Sequence, residues 1–424
     1  MRKTYLACLL LFIKTTMLAQ PNMDDAEKLF GLAKVWSEVK YNYVKFGSLP
    51  LDWDSAYKAF IPRVISAATD DAYYKELMRF MALLRDGHCN VYYMPFKELK
   101  RPPIKTKLIE GKVIITDILN DTLKKGIIAV GDEILEIEGK DVHAFAKEEI
   151  EPFQSASTKQ DLDVRIYTYQ LLRGKPDEEV KLIVKRNNGK TEKVILSRKM
   201  KGNKRFESFF LSVKNEIAYL KIDGFDNPEY KAIFDSLYES ILPTKALILD
   251  LRSNGGGNGQ QGEYALSHLI DREALTAKSK SRQHIPVERA NGNHAESWVM
   301  IPSDIVRPVE GKPRYLKPIA LLMGAETYSA AEDFIVTFDV AKRGIKIGQT
   351  TGGSTGQPLF FELPRGGMGR VCTKWDIYPD GKEFVGIGIV PDIEVKETVK
   401  DVREGRDVAL EESYTYLEKM LSRK

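Results

Sequence analysis

The chain has 424 residues, 43% of them hydrophobic and 29% charged, an ordinary globular composition whose length exceeds one domain at about 100–200 residues apiece. Its 64 basic and 60 acidic side chains leave a formal net charge of +4, too small a surplus for the electrostatic footprint of a DNA or RNA binder. Three cysteines without a paired CxxC exclude a disulfide-built scaffold and a Cys-rich zinc module, and five histidines without an HExxH indicate no metal site; no cofactor is expected.

Met1-Arg2-Lys3 is a basic start, Tyr5 to Ile13 an apolar stretch, and Met17-Leu18-Ala19-Gln20 a small-residue cut. Residues 1–19 are therefore expected to be an export signal, with Gln20 first in the mature chain. A buried N-terminal helix is the alternative, disfavoured by the shortness of the run and its charged front. Cys8 stands too early in that run for a lipoprotein site. No later segment reaches the roughly 18 consecutive apolar residues of a membrane span, so the mature chain is expected to be periplasmic or secreted.

From Asp24 to about Leu84 apolar residues recur at helical spacing, as in Leu29, Leu32, Ala33, Trp36 and Val39, and again Leu77, Met78, Met81 and Leu84. Residues 20–100 thus form a helical region, broken at Leu49-Pro50-Leu51-Asp52, where Asp52 or Asp54 can cap the next helix, and closed by Asp86-Gly87-His88. Arg101-Pro102-Pro103 opens a second region, 101–199, with β-type runs at Lys112 to Ile118, Asp132 to Glu138, Glu179 to Lys185 and Thr191 to Leu196. Short helices are expected in it at Thr122–Lys125 and near Tyr167–Leu172. Residues 200–424 alternate strands (Ile217–Ile222, Ala246–Leu251, Ile319–Met323, Lys346–Ile347) with helices (Tyr230–Ile241, Gln261–Ile270, Ala330–Lys342), the pattern of a layered α/β domain.

The strand Ala246–Leu251 runs into Arg252-Ser253-Asn254-Gly255-Gly256-Gly257-Asn258-Gly259 and then a helix. Glycines let a ligand oxygen approach the main chain closely, and the helix start adds partial positive charge, so this loop is either an anion-facing nest or a plain turn. The strand Ile319–Met323 leads into Thr327-Tyr328-Ser329-Ala330-Ala331-Glu332, with helix from Ala330. Ser329 is either the helix cap, with Glu332 completing a capping box, or a nucleophile, and a nucleophilic serine needs a base, an orienting group and an oxyanion hole.

Together these segments resemble the C-terminal processing peptidases, or tail-specific proteases, a family of serine peptidases. The resemblance runs through Leu84-Arg85-Asp86-Gly87-His88, a PDZ-like core in Leu123-Lys124-Lys125-Gly126 and Val130 to Ile137, the loop Leu249 to Gly257, and Thr327 to Glu332. It continues through Gly348-Gln349-Thr350-Thr351-Gly352-Gly353 and Gly386 to Ile393. It implies a crotonase/ClpP-like layered α/β peptidase core over residues 200–424, preceded by the helical region and a PDZ-like β-rich domain over 101–199. It also implies Ser329 as nucleophile, oxyanion donors at the N–H of Ala330 and of Gly256, and contacts to substrate from Gly255 and Gly257.

The branch of the family with a lysine base would carry that lysine twenty-five positions after Ser329, where Ser354 stands. The tricorn-like branch uses a histidine, which matches His88, an imidazole neutral enough at working pH to take the serine proton. Glu383 is the expected partner of His88, one pleat from the family's glutamate position, which holds Val385 here. Its alternative is a solvated charge on a hairpin. Cys89, beside His88, offers a rival Cys-His pair, although neighbours along an extended chain point oppositely; a buried thiol or a bridge to Cys372 are the plainer readings. Lys346 and Lys374 rank below His88 as bases, since neither matches the family's lysine position. His143, His268, His284 and His294 are expected on the surface or in loops.

The resemblance implies an exported endopeptidase acting on protein or peptide substrates, with a homo-oligomer open. Where a PDZ domain captures a carboxylate this chain has Leu108-Ile109-Glu110-Gly111, whose Glu110 would repel it. A non-catalytic peptide- or ligand-binding protein on a peptidase fold is the alternative; acyl-thioester chemistry, which would need coenzyme A, is opposed by the export signal.

Overall fold

Ala246–Asp250 and Ile319–Met323 are buried at every position, as strands covered on both faces must be. They lie side by side and parallel, Leu249 opposite Leu321, at the centre of a six-stranded sheet. Its order is Ile393–Glu394, Ile345–Gly348, Ile319–Met323, Ala246–Asp250, Ile217–Ile222, Phe209–Lys214, and only the last pair is antiparallel. The computed structural model describes residues 23–203, 208–293 and 296–423; the expected export signal and His294 lie outside them. Among the described residues no helix is long and apolar enough to cross a membrane.

Phe234, Leu266 and Phe334, from the helices Tyr230–Ile241, Gly259–Ser267 and Ala330–Val340, pack on the sheet side chains Leu247, Leu249 and Leu321. Leu417 and Ala409 of the helix Val408–Leu421 cover Ile248 and Leu322 on the opposite face. Each such Leu, Ile or Phe side chain contributes about 1.5–3 kcal/mol on burial, so the three layers hold one another. In a sheet of this kind the loops beyond the carboxyl ends of parallel strands line a crevice. Here those loops carry Arg252 to Gly257 and Gly324 to Ser329.

The N-terminal helices Asp25–Asn42, Trp53–Ile65 and Asp70–Ala82 begin at side-chain caps, Asp24, Asp52 and Thr69. Trp53 stacks on Phe80 at 4.2 Å, and Leu32, Val35 and Leu77 complete a core that also takes in Phe361, Leu363 and Val371. Those last residues belong to a hairpin, Pro358–Leu363 with Gly367–Cys372, whose second strand pairs antiparallel with Asn90–Tyr92. A shared core and a shared sheet thus fasten the N-terminal helices to the C-terminal half.

An antiparallel sheet with the order Ile104–Ile109, Lys112–Ile118, Glu133–Ile137, Glu179–Lys185, Thr191–Ser197 lies between. Thr122–Lys125 forms a turn where a helix was expected, and the expected helix at Tyr167–Leu172 is a π-helical segment, Val164–Gln170. Sequence patterning misses the hairpin Lys278–His284 with Glu296–Ile301, because every residue of the latter strand is exposed and no alternation exists. It also misses the helix Val408–Leu421, whose fully buried stripe is Ala409, Ser413 and Leu417.

Candidate active site

Ser329 ends the turn after the strand Ile319–Met323 with φ 56° and ψ −128°, a conformation L-residues rarely adopt, and its side chain makes no cap hydrogen bond. The capping-box alternative does not hold: the Glu332 carboxylate turns to the Thr351–Ser354 segment instead. Ser329 Oγ lies 3.2 Å from His88 Nε2, and its backbone N–H donates to the Ser354 carbonyl at 3.0 Å.

His88 follows the helix Asp70–Ala82 on a turn that several segments hold. Asp86 Oδ1 accepts the His88 N–H at 2.9 Å, and the Asp86 carbonyl accepts the Cys89 N–H at 2.9 Å. Ser155 Oγ donates to the Asp86 carbonyl at 2.7 Å, and Ser157 Oγ accepts the Gly87 N–H at 3.0 Å. Arg165 and Arg370 both donate to the Gly87 carbonyl, at 3.2 and 3.1 Å. Tyr328, next to Ser329, stacks on the imidazole at 5.1 Å and 14°, and its hydroxyl accepts from Arg165 at 3.0 Å. Burial, then the charges of Arg370, Arg165 and Lys374, hold the His88 pKa well below the ordinary imidazole range.

The second ring nitrogen, Nδ1, lies 2.8 Å from Ser354 Oγ. Ser354 is fully buried, and its N–H donates to Glu332 Oε2 at 2.8 Å. Glu332 Oε1 accepts from Thr351 Oγ1 and from the Gly353 N–H at 2.8 Å. Burial outweighs these three donors and pushes the Glu332 pKa up to about 7. The helix that starts after Ser329 therefore also carries the anchor of the segment that touches His88.

Ala330 N–H, at the first helical position, has no acceptor among the described residues, as expected of a helix start. Gly256 N–H differs from expectation: it donates to Asn254 Oδ1 at 2.9 Å, so the loop satisfies this donor internally. Gly256 has φ +95°, and a Cβ there would lie 2.7 Å from Ser329 Cβ and 2.9 Å from Ala330 N, which places the two loops in contact. Gly255 and Gly257 are exposed on the rim of the loop.

Glu383 does not reach His88. Its carboxylate faces Lys280 at 3.5 Å with 47% of its side chain exposed, and the ring nitrogen it was expected to meet is taken by Ser354. The signal for Ser354 lay in its spacing from Ser329; residue type alone gave no reason to prefer it. Arg165 and Arg370 belong to no pattern visible before folding, and Asp86 and Tyr328, though inside the family-like motifs, carry no role legible in the sequence. Cys89 and Cys372 are buried free thiols, Cys89 Sγ accepting the Cys372 N–H at 3.3 Å. Lys346 pairs with Asp339 and with Asp392 at 3.2 Å. Lys374 lies 3.0 Å from Asp376; burial opposes its charge, but Asp333 and Asp376 outweigh it and raise the pKa. His143 is exposed beside Tyr167 and His284 is partly exposed, whereas His268, expected at the surface, is fully buried among Phe234, Tyr238 and Tyr264. Glu110 Oε2 accepts the Val399 N–H at 3.3 Å, so the turn where a carboxylate loop was sought docks on the chain's own C-terminal segment.

Residues 216–395 match the model of Peptidase family S41. The chain is 25% identical over 209 residues to a carboxy-terminal-processing protease of Bartonella bacilliformis, covering 47% of this chain and 44% of that one. It is 24% identical over 189 residues to the chloroplastic C-terminal processing peptidase of Tetradesmus obliquus, covering 44% and 37%. The chain thus aligns with less than half the length of these curated relatives. Its fold is similar to the crystal structure of mature CPAF, with a TM-score of 0.73 at 16% identity over 93% of this chain and 96% of that one.

Proposed function

Since the chain belongs to the C-terminal processing peptidases, peptidase family S41, we propose that it is a serine endopeptidase that works through an acyl-enzyme on Ser329. The observation that carries this reading is the 3.2 Å approach of His88 Nε2 to Ser329 Oγ. Ser329 Oγ attacks the scissile carbonyl carbon while Nε2 takes its proton; the tetrahedral intermediate collapses as His88 returns that proton to the leaving amine. A water then repeats the sequence on the acyl-enzyme. For Nε2 to accept, the ring's own proton sits on Nδ1 and is donated to Ser354 Oγ, which makes Ser354 the positioning residue of the base.

Ala330 N–H is the open oxyanion donor. Gly256 N–H joins it when the developing oxyanion competes with Asn254 Oδ1 for that proton; one such donor is typically worth about 2.7–4 kcal/mol. Gly255 and Gly257 supply main chain against which substrate backbone can lie. Residues 101–199 act in this reading as a PDZ-like domain whose Ser155, Ser157 and Arg165 hold the His88 turn. The basic and apolar start of the chain supports export, hence a periplasmic or secreted place of action on protein or peptide substrates. The test is reaction with a fluorophosphonate, read by intact mass and peptide mapping. Labelling confined to Ser329, lost in Ser329→Ala and in His88→Ala, is expected; a folded wild type that resists labelling from neutral to alkaline pH would favour the non-catalytic binder.

A further inference from the structure

A cavity of about 370 Å³ lies between the helix Asp70–Ala82, the strand Asn90–Tyr92 and the segment 149–173, with Cys89 and Asn90 in its wall and neither Ser329 nor His88 lining it. Five basic side chains line it, Lys75, Lys97, Arg165, Arg173 and Arg370, against one carboxylate, Glu149. Arg165 is neutralised by Asp161 at 2.7 Å, and Glu149 is engaged by Lys140 at 2.9 Å. The other four cations have no ion-pair partner among the described residues. Arg173 donates to the Phe96 carbonyl at 2.9 Å, and Arg370 to the Gly87 carbonyl and to Asn90 Oδ1 at 2.7 Å, oxygens that carry no formal charge. Burial and nearby Arg101 hold the Arg173 guanidinium below its ordinary pKa.

The rest of the wall is mixed: Asn90, Gln154, Ser155 and Gln170 are polar, while Met78, Phe96 and Phe153 give it an apolar part, with the Lys75 ammonium 5.7 Å from the Phe153 ring. The partly buried, uncompensated charge of Arg173 and Arg370 beside apolar side chains is costly to keep and is relieved by an anion that brings its own apolar body, and the exposed Lys75 and Lys97 add to the attraction. We propose that this cavity binds a carboxylate carried on a short apolar body, the carboxylate taken by Lys75, Lys97, Arg173 and Arg370 and the body by Met78, Phe96 and Phe153. A free fatty acid and the C-terminal end of an apolar peptide share that chemistry.

The probes are octanoate and acetyl-Ala-Leu-Phe with a free carboxyl end, each titrated calorimetrically into the Ser329→Ala protein and compared with octanol and with the peptide carboxamide. Using Ser329→Ala separates this result from the peptidase reading, since nothing is cleaved. Saturable one-to-one binding of at least one acid is expected, with its neutral counterpart at least about tenfold weaker. The exposed pair Lys75→Glu with Lys97→Glu should weaken that acid about tenfold, and Met78→Trp, which fills the space, should abolish it. Octanoate binding identifies a free-acid site; binding of the peptide acid alone identifies a chain-end site. The proposal is overturned by no saturable binding of either acid, by equal binding of the neutral counterparts, or by binding that the lysine reversals leave unchanged.

Discussion

Ser354 touches both working groups of the site: its hydroxyl lies 2.8 Å from His88 Nδ1, and its carbonyl accepts the Ser329 N–H at 3.0 Å. The residue at the position where a lysine base was sought is thus joined to His88, the base proposed in its place. Glu332, on the helix that Ser329 precedes, fixes the Ser354 main chain, so His88, Ser329 and Glu332 form one hydrogen-bonded unit through Ser354.

Removing the hydroxyl tests that unit. A neutral hydrogen bond contributes about 0.5–1.5 kcal/mol net, and about 1.4 kcal/mol is tenfold in rate. Ser354→Ala should therefore slow fluorophosphonate labelling of Ser329 about tenfold, while the KM for a peptide substrate changes little. Ser354→Thr should keep most of the rate. Glu383→Gln should stay within about twofold of wild type, because its carboxylate is half-exposed and its partner is Lys280 rather than His88. A large loss in Glu383→Gln with none in Ser354→Ala would return the orienting role to Glu383.

The labelling rate should also report the environment of His88. A general base works while neutral, that is, above its pKa, and burial followed by Arg370, Arg165 and Lys374 lowers that pKa below the ordinary value of about 6.5. The acid limb of the rate against pH is accordingly expected below pH 6.5. The same shift has a stability consequence: neutral His88 is favoured by folding, so its contribution is complete above about pH 6.5 and is lost as pH falls toward the lowered folded value. Arg370→Gln removes a positive neighbour and should move the limb to higher pH. An acid limb above pH 6.5 in wild type would contradict this account.

Much of the scaffold was legible before folding. Ala246–Leu249 and Ile319–Met323 are unbroken apolar runs followed by Gly-containing turns, which fits strands buried on both faces. The helix start at Ala330 came from the same patterning, and the placing of Ser329 and His88 from motif order. Ser354 was visible only as a lysine that is missing, because a serine in a glycine-rich segment has many local uses and its partner lies 266 positions away. Arg165 and Arg370 were not legible at all, and of Tyr328 only its place in the Ser329 motif was: their part in the site arises where three segments distant in sequence meet, a contact that no local periodicity encodes. Glu383 was misplaced for the same reason, since alternation along a strand gives the face of a side chain and not the neighbour it finds there.

Gly256 offers a steric test. Its φ of +95° costs an L-residue about 1–2 kcal/mol, and a Cβ would stand 2.7 Å from Ser329 Cβ and 2.8 Å from the Tyr328 carbonyl, both on a rigid turn. Gly256→Ala should lower stability by at least about 2 kcal/mol and abolish labelling of Ser329. Gly255→Ala, whose Cβ meets nothing within 4 Å, should leave stability nearly unchanged. Equal stability of the two variants in urea denaturation would mean that the glycine loop does not press on the nucleophile turn.

The backbone of Ser329 carries a further expectation. At φ 56° and ψ −128° it occupies a region open chiefly to glycine, where other residues store about 1–3 kcal/mol of strain. Ser329→Gly relieves that strain but adds the chain entropy of glycine, about 0.5–1 kcal/mol, leaving a net gain of about 1 kcal/mol. Ser329→Ala keeps the Cβ and the strain, and loses the same contact with His88, so it is the proper reference. Urea denaturation should place Ser329→Gly above Ser329→Ala in stability, with labelling absent from both. A glycine variant no more stable than the alanine variant would show that the turn accommodates a side chain without cost, and that the position of the Ser329 hydroxyl is not held against a conformational preference.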